Sequence, residues 1–296
     1  MARWDSQGSA NTIPDWFWEA VETPAETRSV EVDECDVVYR FYPNPGKRGL
    51  LLIHGMHAHS HWWDFIAPQL LDEYEIAAMD LTGMGDSDYR YEYNANLYAE
   101  EIKAVLDDAG FDNQCFVVAH SFGGYMAVRA ANQYPDRFAA LILIDSGIRS
   151  PEDPPPDHSM MNVRAKVYPD KENALMRFRL QPPQSCENEY ILQYIARNSL
   201  MPVEGGGYAW KFDEDFYTAM KDIERQPEDY QNLTVKLGLI YGEDSELFSL
   251  NTLAYMRELV PQDFPAVGIE KAQHHVFLDQ PLAFVQALRE MCKQLS

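Results

Sequence analysis

The chain has 296 residues, of which 46% are hydrophobic, and a formal net charge of −23 from 47 acidic and 24 basic residues. This length and composition allow a large core, as one sizeable domain or as a domain with an insertion. The excess of acidic residues would repel phosphate backbones and anionic lipid head groups, so we expect no binding to nucleic acid or membrane. The acids are spread along the chain, which indicates a solvated surface.

No stretch has the apolar length of a signal peptide or a membrane span. Four cysteines lie far apart without a C-x-x-C pair, at positions 35, 115, 186 and 292. Disulfide scaffolds are short and rich in cysteine, so this spacing favours free thiols in a reducing compartment. We therefore predict a soluble, cytoplasmic protein. The assembly state is left open between a monomer and a homodimer.

Short apolar runs alternate with longer amphipathic ones along the chain, which predicts an α/β fold with a mostly parallel, eight-stranded sheet flanked by helices. Strands are predicted at residues 29–33, 36–42, 49–54, 75–80, 114–120, 139–145, 236–242 and 265–270. The clearest helices are predicted at residues 95–110, 122–135 and 281–295, and the first two end on Gly110 and Pro135, which are common helix stops.

The alternation breaks between about residues 146 and 232. This segment opens with "SPEDPPPDHSMM", whose prolines can continue neither a helix nor a central strand. We predict a core formed by residues 1–146 and 232–296, with residues 147–231 as an inserted, mostly helical cap. A cap over the carboxyl edge of a parallel sheet commonly forms one wall of a pocket.

Four of the eight histidines fall within "HGMHAHSHWW", at positions 54, 57, 59 and 61. A metal site would favour pairs on one helix face, as in H-x-x-x-H, whereas these histidines lie on mostly alternate positions. The run directly follows "KRGLLLI", a short apolar strand. The histidine run therefore begins where a strand ends, at the His54-Gly55 turn, and its role depends on the motifs further along the chain.

The stretch "CFVVAHSFGGYMAVRAA" carries the clearest chemical signal. A buried strand runs into Ala119-His120-Ser121-Phe122-Gly123-Gly124 and then directly into a helix. This is the setting of the nucleophile elbow G-x-S-x-G, with Ala119 at the first small position. Small residues on either side of Ser121 permit a sharp turn that exposes its hydroxyl, and the helix start presents N–H groups to a developing oxyanion.

These features resemble the α/β-hydrolase family over nearly the whole chain outside the cap. "LLIHG" is similar to the third strand and oxyanion loop of the family, and "MDLTGMGDSD" resembles its D-x-x-G-x-G-x-S turn. "IEKAQHHVFLDQPLAF" resembles the segment that carries the catalytic histidine. The four motifs occur in the family's order. Ala119 replaces the usual glycine, which is a common variation.

The resemblance implies that the backbone N–H groups of Met56 and Phe122 form an oxyanion hole. It also makes a metal site on His57, His59 and His61 unnecessary. His57 has two interpretations, a structural histidine, which is the more common one, and a residue that lines the substrate pocket. No metal or cofactor is expected.

Ser121 needs a general base, because a serine hydroxyl is a weak nucleophile at neutral pH. His274 and His275 compete for this role, and the spacing to "LDQP" matches the family's histidine at His274. His275 falls where a bulky residue usually packs. His120, next to the serine, is expected on the opposite side of the elbow with a structural role.

The acid that orients the base has three candidates. The family's usual position is the fourth residue of G-x-x-D after the seventh strand, where this chain reads Gly242-Glu243-Asp244-Ser245. Asp145, at the end of the sixth strand, is an alternative that some relatives use, and it is our first choice. Glu246 comes second and Asp244 third.

A serine nucleophile excludes the dehalogenase and epoxide hydrolase branches of the fold, which use an aspartate. It forms an acyl-enzyme instead, which suits carboxylic esters. We predict a hydrolase that acts on a small-molecule ester. Candidates for an apolar pocket wall come from the cap: Met160, Met161, Trp210, Phe212 and Tyr217. Of these, we assign Trp210 to substrate binding. The alternatives are a C–C bond hydrolase or cofactor-free lyase, and a non-catalytic ligand-binding protein.

Overall fold

A computed structural model describes residues 13–111, 115–153 and 166–296. Its central sheet has eight strands in the order β1-β2-β4-β3-β5-β6-β9-β10. The strands are β1 (Glu26–Val32), β2 (Cys35–Tyr42), β3 (Arg48–Ile53), β4 (Tyr74–Met79), β5 (Cys115–His120), β6 (Phe138–Ile144), β9 (Lys236–Gly242) and β10 (Ala266–Ile269). Strand β2 pairs antiparallel with both β1 and β4, and the other pairings are parallel. The prediction of a mostly parallel, eight-stranded sheet is confirmed.

The central strands are buried on both faces. All six residues of β5 are buried, as are nearly all residues of β3 and β6. Such strands need apolar side chains at every position, which explains their continuous apolar runs in the sequence. Because the strands are parallel, their carboxyl ends meet along one edge, and this edge collects the loops after β3, β5, β6 and β9.

Two layers of helices cover the sheet. The helices outside the 147–231 segment are α1 (Asp15–Val21), α2 (Ala95–Asp108), α3 (Ser121–Gln133), α8 (Leu250–Leu259), α9 (Val276–Asp279) and α10 (Pro281–Leu295), with 3₁₀ turns at Ser60–Trp63, Ala67–Leu70 and Pro135–Arg137. Side chains of α2, α3 and α8 belong to the apolar core on one face, and those of α1, α9 and α10 to the core on the other. This arrangement leaves the carboxyl edge of the sheet free for a site.

The predicted elements agree with the observed ones to within a few residues. Strand β1 shows the largest difference, since it begins at Glu26 instead of residue 29. Its first residues are polar and exposed, and they are held by hairpin pairing of Glu26 with Phe41. Local periodicity therefore could not reveal them. The predicted residue Gln114 of β5 lies outside the described residues.

The segment between residues 147 and 231 lies against the loop after β4. Its described part contains α4 (Lys171–Leu175), α5 (Glu189–Asn198), α6 (Phe216–Ala219) and α7 (Pro227–Gln231), and the short antiparallel pair β7 (Leu200–Pro202) and β8 (Tyr208–Trp210). The N–H of Gly85 donates to the carbonyl of Lys211, and the N–H of Asp213 donates to the carbonyl of Gly83. The segment thus packs beside the carboxyl edge of the sheet. The β7–β8 pair was not predicted, because three-residue strands carry no periodic signal.

None of the helices in the described ranges combines the length and apolar character that crossing a bilayer requires. The described residues contain no disulfide; Cys115 and Cys292 are buried, and Cys35 and Cys186 are half-buried.

Candidate active site

The chain turns sharply between β5 and α3, and Ser121 is the residue at the turn. Its φ angle of 51° is in the left-handed region, which is strained for a residue with a side chain. Gly123 and Gly124 follow shortly after, and their lack of a side chain allows neighbouring segments to pack closely against the turn. A Cβ on Gly123 would lie 2.2 Å from the carbonyl oxygen of His54, and a Cβ on Gly124 would lie 2.4 Å from Ser146 Oγ. The geometry is that of a nucleophile elbow.

Ser121, His274 and Asp145 form a continuous chain of hydrogen bonds. The hydroxyl of Ser121 lies 2.9 Å from His274 Nε2, and His274 Nδ1 lies 2.6 Å from Asp145 Oδ2. His274 is in the loop between β10 and α9, and Asp145 directly follows β6. His274 and Asp145 are both buried. Three separate loops at the carboxyl edge therefore bring together a hydroxyl, an imidazole and a carboxylate in the order that nucleophilic catalysis needs.

The carboxylate of Asp145 is held from two further directions. Its Oδ1 accepts a hydrogen bond of 3.0 Å from the N–H of Gly242, and its Oδ2 accepts one of 2.7 Å from the hydroxyl of Ser245. Asp145 itself has a φ angle of 43°, so the backbone at the end of β6 is strained, as it is at Ser121. Strain of this kind persists only where the surrounding contacts fix it.

The other two acid candidates lie elsewhere. Glu246 and Asp244 are both exposed. The N–H of Asp244 donates to the carbonyl of Ala272, which fixes the loop rather than the imidazole. Among the described residues, Asp145 is the carboxylate that bonds His274. The second-ranked candidate, Glu246, is therefore not placed for the role, because the loop after β9 directs its side chain to solvent.

Two further histidines pack against His274 but do not contact the serine hydroxyl. His120 donates from Nε2 to the carbonyl of His274 at 3.0 Å. The ring of His275 lies 5.0 Å from that of His274 and 5.3 Å from that of Trp62. Burial lowers the pKa of both His120 and His275 well below the ordinary value, so both rings are neutral at pH 7.

The loop after β3 approaches the elbow at Gly55. A Cβ on Gly55 would lie 2.7 Å from His120 Nδ1 and 3.1 Å from the Cβ of Ser121, so only a glycine fits this approach. The next residue, Met56, therefore has its backbone close to the serine. Phe122 follows Ser121 in the first turn of α3, where N–H groups have no acceptor within the helix. Met56 thus directly follows the close approach at Gly55, and Phe122 directly follows Ser121.

The histidines that follow Met56 have separate partners. The ring of His57 lies 4.5 Å from that of Phe212 and 5.5 Å from that of Tyr217, and its Nδ1 lies 3.4 Å from Gln181 Oε1. Burial lowers the pKa of His57 to about 4, so the ring is neutral at pH 7. Together with the aromatic residues of the 147–231 segment, His57 forms an apolar wall near the loop after β3.

His59 contacts the 147–231 segment directly, and His61 is linked to it through Asp64. His59 Nε2 lies 2.7 Å from Ser199 Oγ, and His61 Nδ1 lies 2.6 Å from Asp64 Oδ2. The same buried carboxylate accepts a hydrogen bond of 2.5 Å from the hydroxyl of Tyr194 in α5. Burial alone would raise the pKa of Asp64, but His61 and Arg40 outweigh burial and hold the pKa below its ordinary value.

Trp210 occupies a different place from the one expected of a substrate-binding residue. Within the described residues its aromatic contacts are with Tyr168 at 5.9 Å and Phe178 at 5.7 Å, inside the 147–231 segment. Phe212 and Tyr217 face His57 instead. Phe212 lies beyond the end of β8, where the chain bridges to Met84 in the loop after β4, and this places it beside His57. Met160 and Met161 lie outside the described residues.

Comparison with known proteins agrees with this geometry. A model of the alpha/beta hydrolase family matches residues 50–287, which include the elbow and the histidine segment. The chain belongs to the alpha/beta hydrolase family. The α/β-hydrolase fold predicted from the motifs is therefore confirmed.

Relatives within the family include several hydrolases. The uncharacterized hydrolase YugF of Bacillus subtilis is 25% identical over 242 residues, which are 77% of this chain and 84% of that protein. Lipase LipV of Mycobacterium tuberculosis is 38% identical over 111 residues, which are 38% of this chain and 41% of the lipase. The crystal structure of the esterase Rv0045c from M. tuberculosis is similar in fold, with a TM-score of 0.72 and 22% identity over 96% of this chain and 99% of that chain.

One contact of this alpha/beta hydrolase was not anticipated from its sequence. Ser245 stands at the family's usual acid position, and it donates to the acid that lies at the end of β6. In the sequence, Ser245 appeared only as a serine in place of the aspartate of G-x-x-D. Its hydrogen bond to Asp145 could not be predicted, because the distance between the loops after β6 and β9 cannot be read from the sequence.

Proposed function

We propose that this alpha/beta hydrolase cleaves a small carboxylic ester through an acyl-enzyme on Ser121. The observation that carries the proposal is the chain of hydrogen bonds from Ser121 Oγ to His274 Nε2 and from His274 Nδ1 to Asp145 Oδ2. A pure binding protein needs none of this geometry. The lipase and esterase names among the relatives support a reaction of this class.

Acylation begins at the hydroxyl of Ser121. Its oxygen attacks the ester carbonyl carbon while His274 Nε2 takes the hydroxyl proton, and the carbonyl oxygen becomes an oxyanion. The N–H groups of Met56 and Phe122 donate to that oxyanion. The bond to the alcohol then breaks, and His274 returns its proton to the leaving oxygen.

Deacylation reverses the roles. His274 Nε2 removes a proton from water, and the resulting hydroxide attacks the acyl carbon. The bond to Ser121 Oγ breaks, the proton returns to that oxygen, and the carboxylic acid leaves. Asp145 stays ionised throughout and stabilises the imidazolium that forms in each half of the reaction. The carboxylate is already aligned by Gly242 and Ser245, so no reorganisation is needed when charge appears.

The wall formed by His57, Phe212 and Tyr217 supports an apolar acyl or alcohol group of modest size. The neutral His57 ring lies against Phe212 at an interplanar angle of 34°, and the pair presents ring surface instead of a charge. A fixed apolar wall of this kind favours hydrocarbon groups over charged ones.

Removal of the nucleophile is the direct test of the mechanism. Ser121→Ala is expected to abolish hydrolysis, leaving at most the residual rate of about 10³ to 10⁴ over water that oxyanion stabilisation supplies elsewhere. The fold should be unchanged by circular dichroism. A serine-directed fluorophosphonate should label Ser121 in the unaltered protein and nothing in the variant. Labelling at another residue would contradict the nucleophile assignment.

A panel of p-nitrophenyl esters of increasing acyl length tests the reaction class. We expect turnover of the short-chain esters and a decline for esters of longer acyl chains. C–C bond hydrolases and cofactor-free lyases use the same serine and histidine, so inertness to every ester combined with fluorophosphonate labelling would favour them. Inertness to both reagents would favour a binding protein.

A further inference from the structure

Three buried histidines meet behind the elbow: His120, His274 and His275. One ring nitrogen from each lies within 4.8 Å of the other two. The ring centroids are separated by 4.7 Å, 5.3 Å and 5.0 Å. Within residues 13–111, 115–153 and 166–296, no other group of three histidine, cysteine, aspartate or glutamate side chains brings its ligand atoms together in this way.

Several nitrogens of this histidine cluster have no well-formed hydrogen bond. His120 Nδ1 is buried without a partner, on the side where Gly55 leaves room that a Cβ would fill. Both ring nitrogens of His275 are likewise buried without a well-aligned partner, although the carbonyl groups of Gln181 and Pro182 lie near the ring. An unpaired buried nitrogen costs free energy, and the lone pair of a neutral imidazole is a ready metal ligand.

We infer that His120, His274 and His275 form an inhibitory site for a divalent transition-metal ion, with Zn²⁺ as the representative. Three imidazole nitrogens suit Zn²⁺, Ni²⁺ and Cu²⁺, whereas Mg²⁺ and Ca²⁺ prefer oxygen ligands. Asp145 bonds the opposite nitrogen of His274, and a carboxylate in that position commonly orients a metal-binding histidine.

Binding requires a small closure of the cluster. Zinc–nitrogen bonds of about 2.1 Å place the nitrogens of a tetrahedral set about 3.4 Å apart. The nitrogens of the cluster lie up to 4.8 Å apart, so they must approach one another by up to about 1.4 Å. The proposed site requires the His275 and His120 side chains to rotate, and His120 then gives up its hydrogen bond to the carbonyl of His274. The fourth position of the metal is left for water or for the hydroxyl of Ser121.

Metal binding and catalysis would compete for one atom. His274 Nδ1 is engaged by Asp145, so only Nε2 can bind a metal, and Nε2 is the atom that accepts the proton of Ser121. An ion on Nε2 removes the general base. The metal site itself does not depend on the proposed function, but the inhibition of ester hydrolysis rests on it.

Binding and inhibition are measured separately. Calorimetric titration of the Ser121→Ala protein with ZnCl₂, in a buffer that does not bind metals, should show about one tight site per chain. His275→Phe keeps the bulk of the ring but removes its nitrogens, and it should weaken Zn²⁺ binding at least about tenfold. His275→Gln serves as a second variant if the first is misfolded by circular dichroism. His61→Gln is the matched control from the histidine-rich loop and should bind Zn²⁺ as before.

In the protein with Ser121 intact, ZnCl₂ should inhibit p-nitrophenyl acetate hydrolysis and slow fluorophosphonate labelling, a chelator should restore both, and MgCl₂ should have no effect. His275→Phe should retain hydrolysis and lose sensitivity to Zn²⁺.

The inference is overturned if both His275 variants bind Zn²⁺ as tightly as the parent, which would place the ion on a cysteine or on surface acids. Inhibition by MgCl₂ to the same degree would overturn it as well. Tight Zn²⁺ binding that depends on His275, in a protein that hydrolyses no ester, would uphold the site and contradict the proposed function.

Discussion

The loops after β6 and β9 lie side by side at the carboxyl edge of the sheet, and they differ in what they contribute to the site. The loop after β6 supplies the carboxylate of Asp145, whose backbone has a φ angle of 43°. The loop after β9 supplies no carboxylate to His274 among the described residues. Two donors stand here instead, the N–H of Gly242 at the end of β9 and the hydroxyl of Ser245 in the loop, and both go to Asp145.

The two loops therefore act on the same carboxylate, that of Asp145, which bonds His274. Because β6 and β9 are adjacent and parallel, with Ile144 paired to Ile240, their ends lie within reach of the same imidazole. We expect that a carboxylate from either loop would orient His274, while the other loop would stabilise that carboxylate with a hydrogen bond. The fold fixes where an acid is needed, and the sequence of each loop decides which one provides it.

The largest effect is expected at the loop after β6. Asp145→Asn should keep the shape of the site but present an amide to His274 Nδ1, which favours the wrong imidazole tautomer. We expect a loss of about 10⁴ in kcat for p-nitrophenyl acetate, as in other serine triads. Fluorophosphonate labelling should slow in parallel. A loss of less than tenfold would show that another acid orients the base.

Exchange of the two residues tests whether the loops are equivalent. Asp145→Ser combined with Ser245→Asp moves the carboxylate to the loop after β9 and the hydroxyl to the loop after β6. The double variant should be about 10² faster than Asp145→Ser alone, since a carboxylate again faces Nδ1. Initial rates of the two proteins, measured at equal folded fraction, make the comparison. Equal rates would mean that the loop after β9 cannot supply the acid.

A smaller effect is expected when the stabilising donor is removed. Ser245→Ala deletes the 2.7 Å hydrogen bond to Asp145 Oδ2 and leaves Gly242 as the donor to Oδ1. A hydrogen bond to a charged group is worth about 1.5 kcal/mol, which corresponds to roughly a tenfold loss in kcat/KM. Ser245→Thr, which retains the hydroxyl, should recover most of the rate. Unchanged kinetics in Ser245→Ala would mean that the backbone N–H of Gly242 alone aligns the carboxylate of Asp145.

The exposed acids of the loop after β9 should matter least. Glu246→Gln and Asp244→Asn remove charges that face solvent, so each is expected to change the rate by less than about twofold and the free energy of unfolding by less than about 0.5 kcal/mol. Initial rates and chemical denaturation measure the two quantities. If Glu246→Gln instead caused the largest loss of the series, the acid would have to be assigned to the loop after β9.

The sequence by itself determined the elements of the sheet and the position of the sharp turn at Ser121. Continuous apolar runs mark β3, β5 and β6 because strands buried on both faces need apolar residues at every position. The elbow around Ser121 is equally local, since the turn and the small residues that permit it are neighbours in the chain. Such features depend on contacts between residues close in sequence, and a pattern can record them.

The tertiary structure alone decided which carboxylate meets His274 and which aromatic side chains meet His57. Asp145 and His274 are 129 positions apart, and Ser245 is 100 positions from Asp145. The choice among Asp145, Glu246 and Asp244 depended on how the ends of β6 and β9 lie in the sheet. Phe212, and not Trp210, meets His57 because the chain beyond β8 bridges to Met84 in the loop after β4. Distances between separate loops are set by the packing of the whole sheet, and no local pattern carries them.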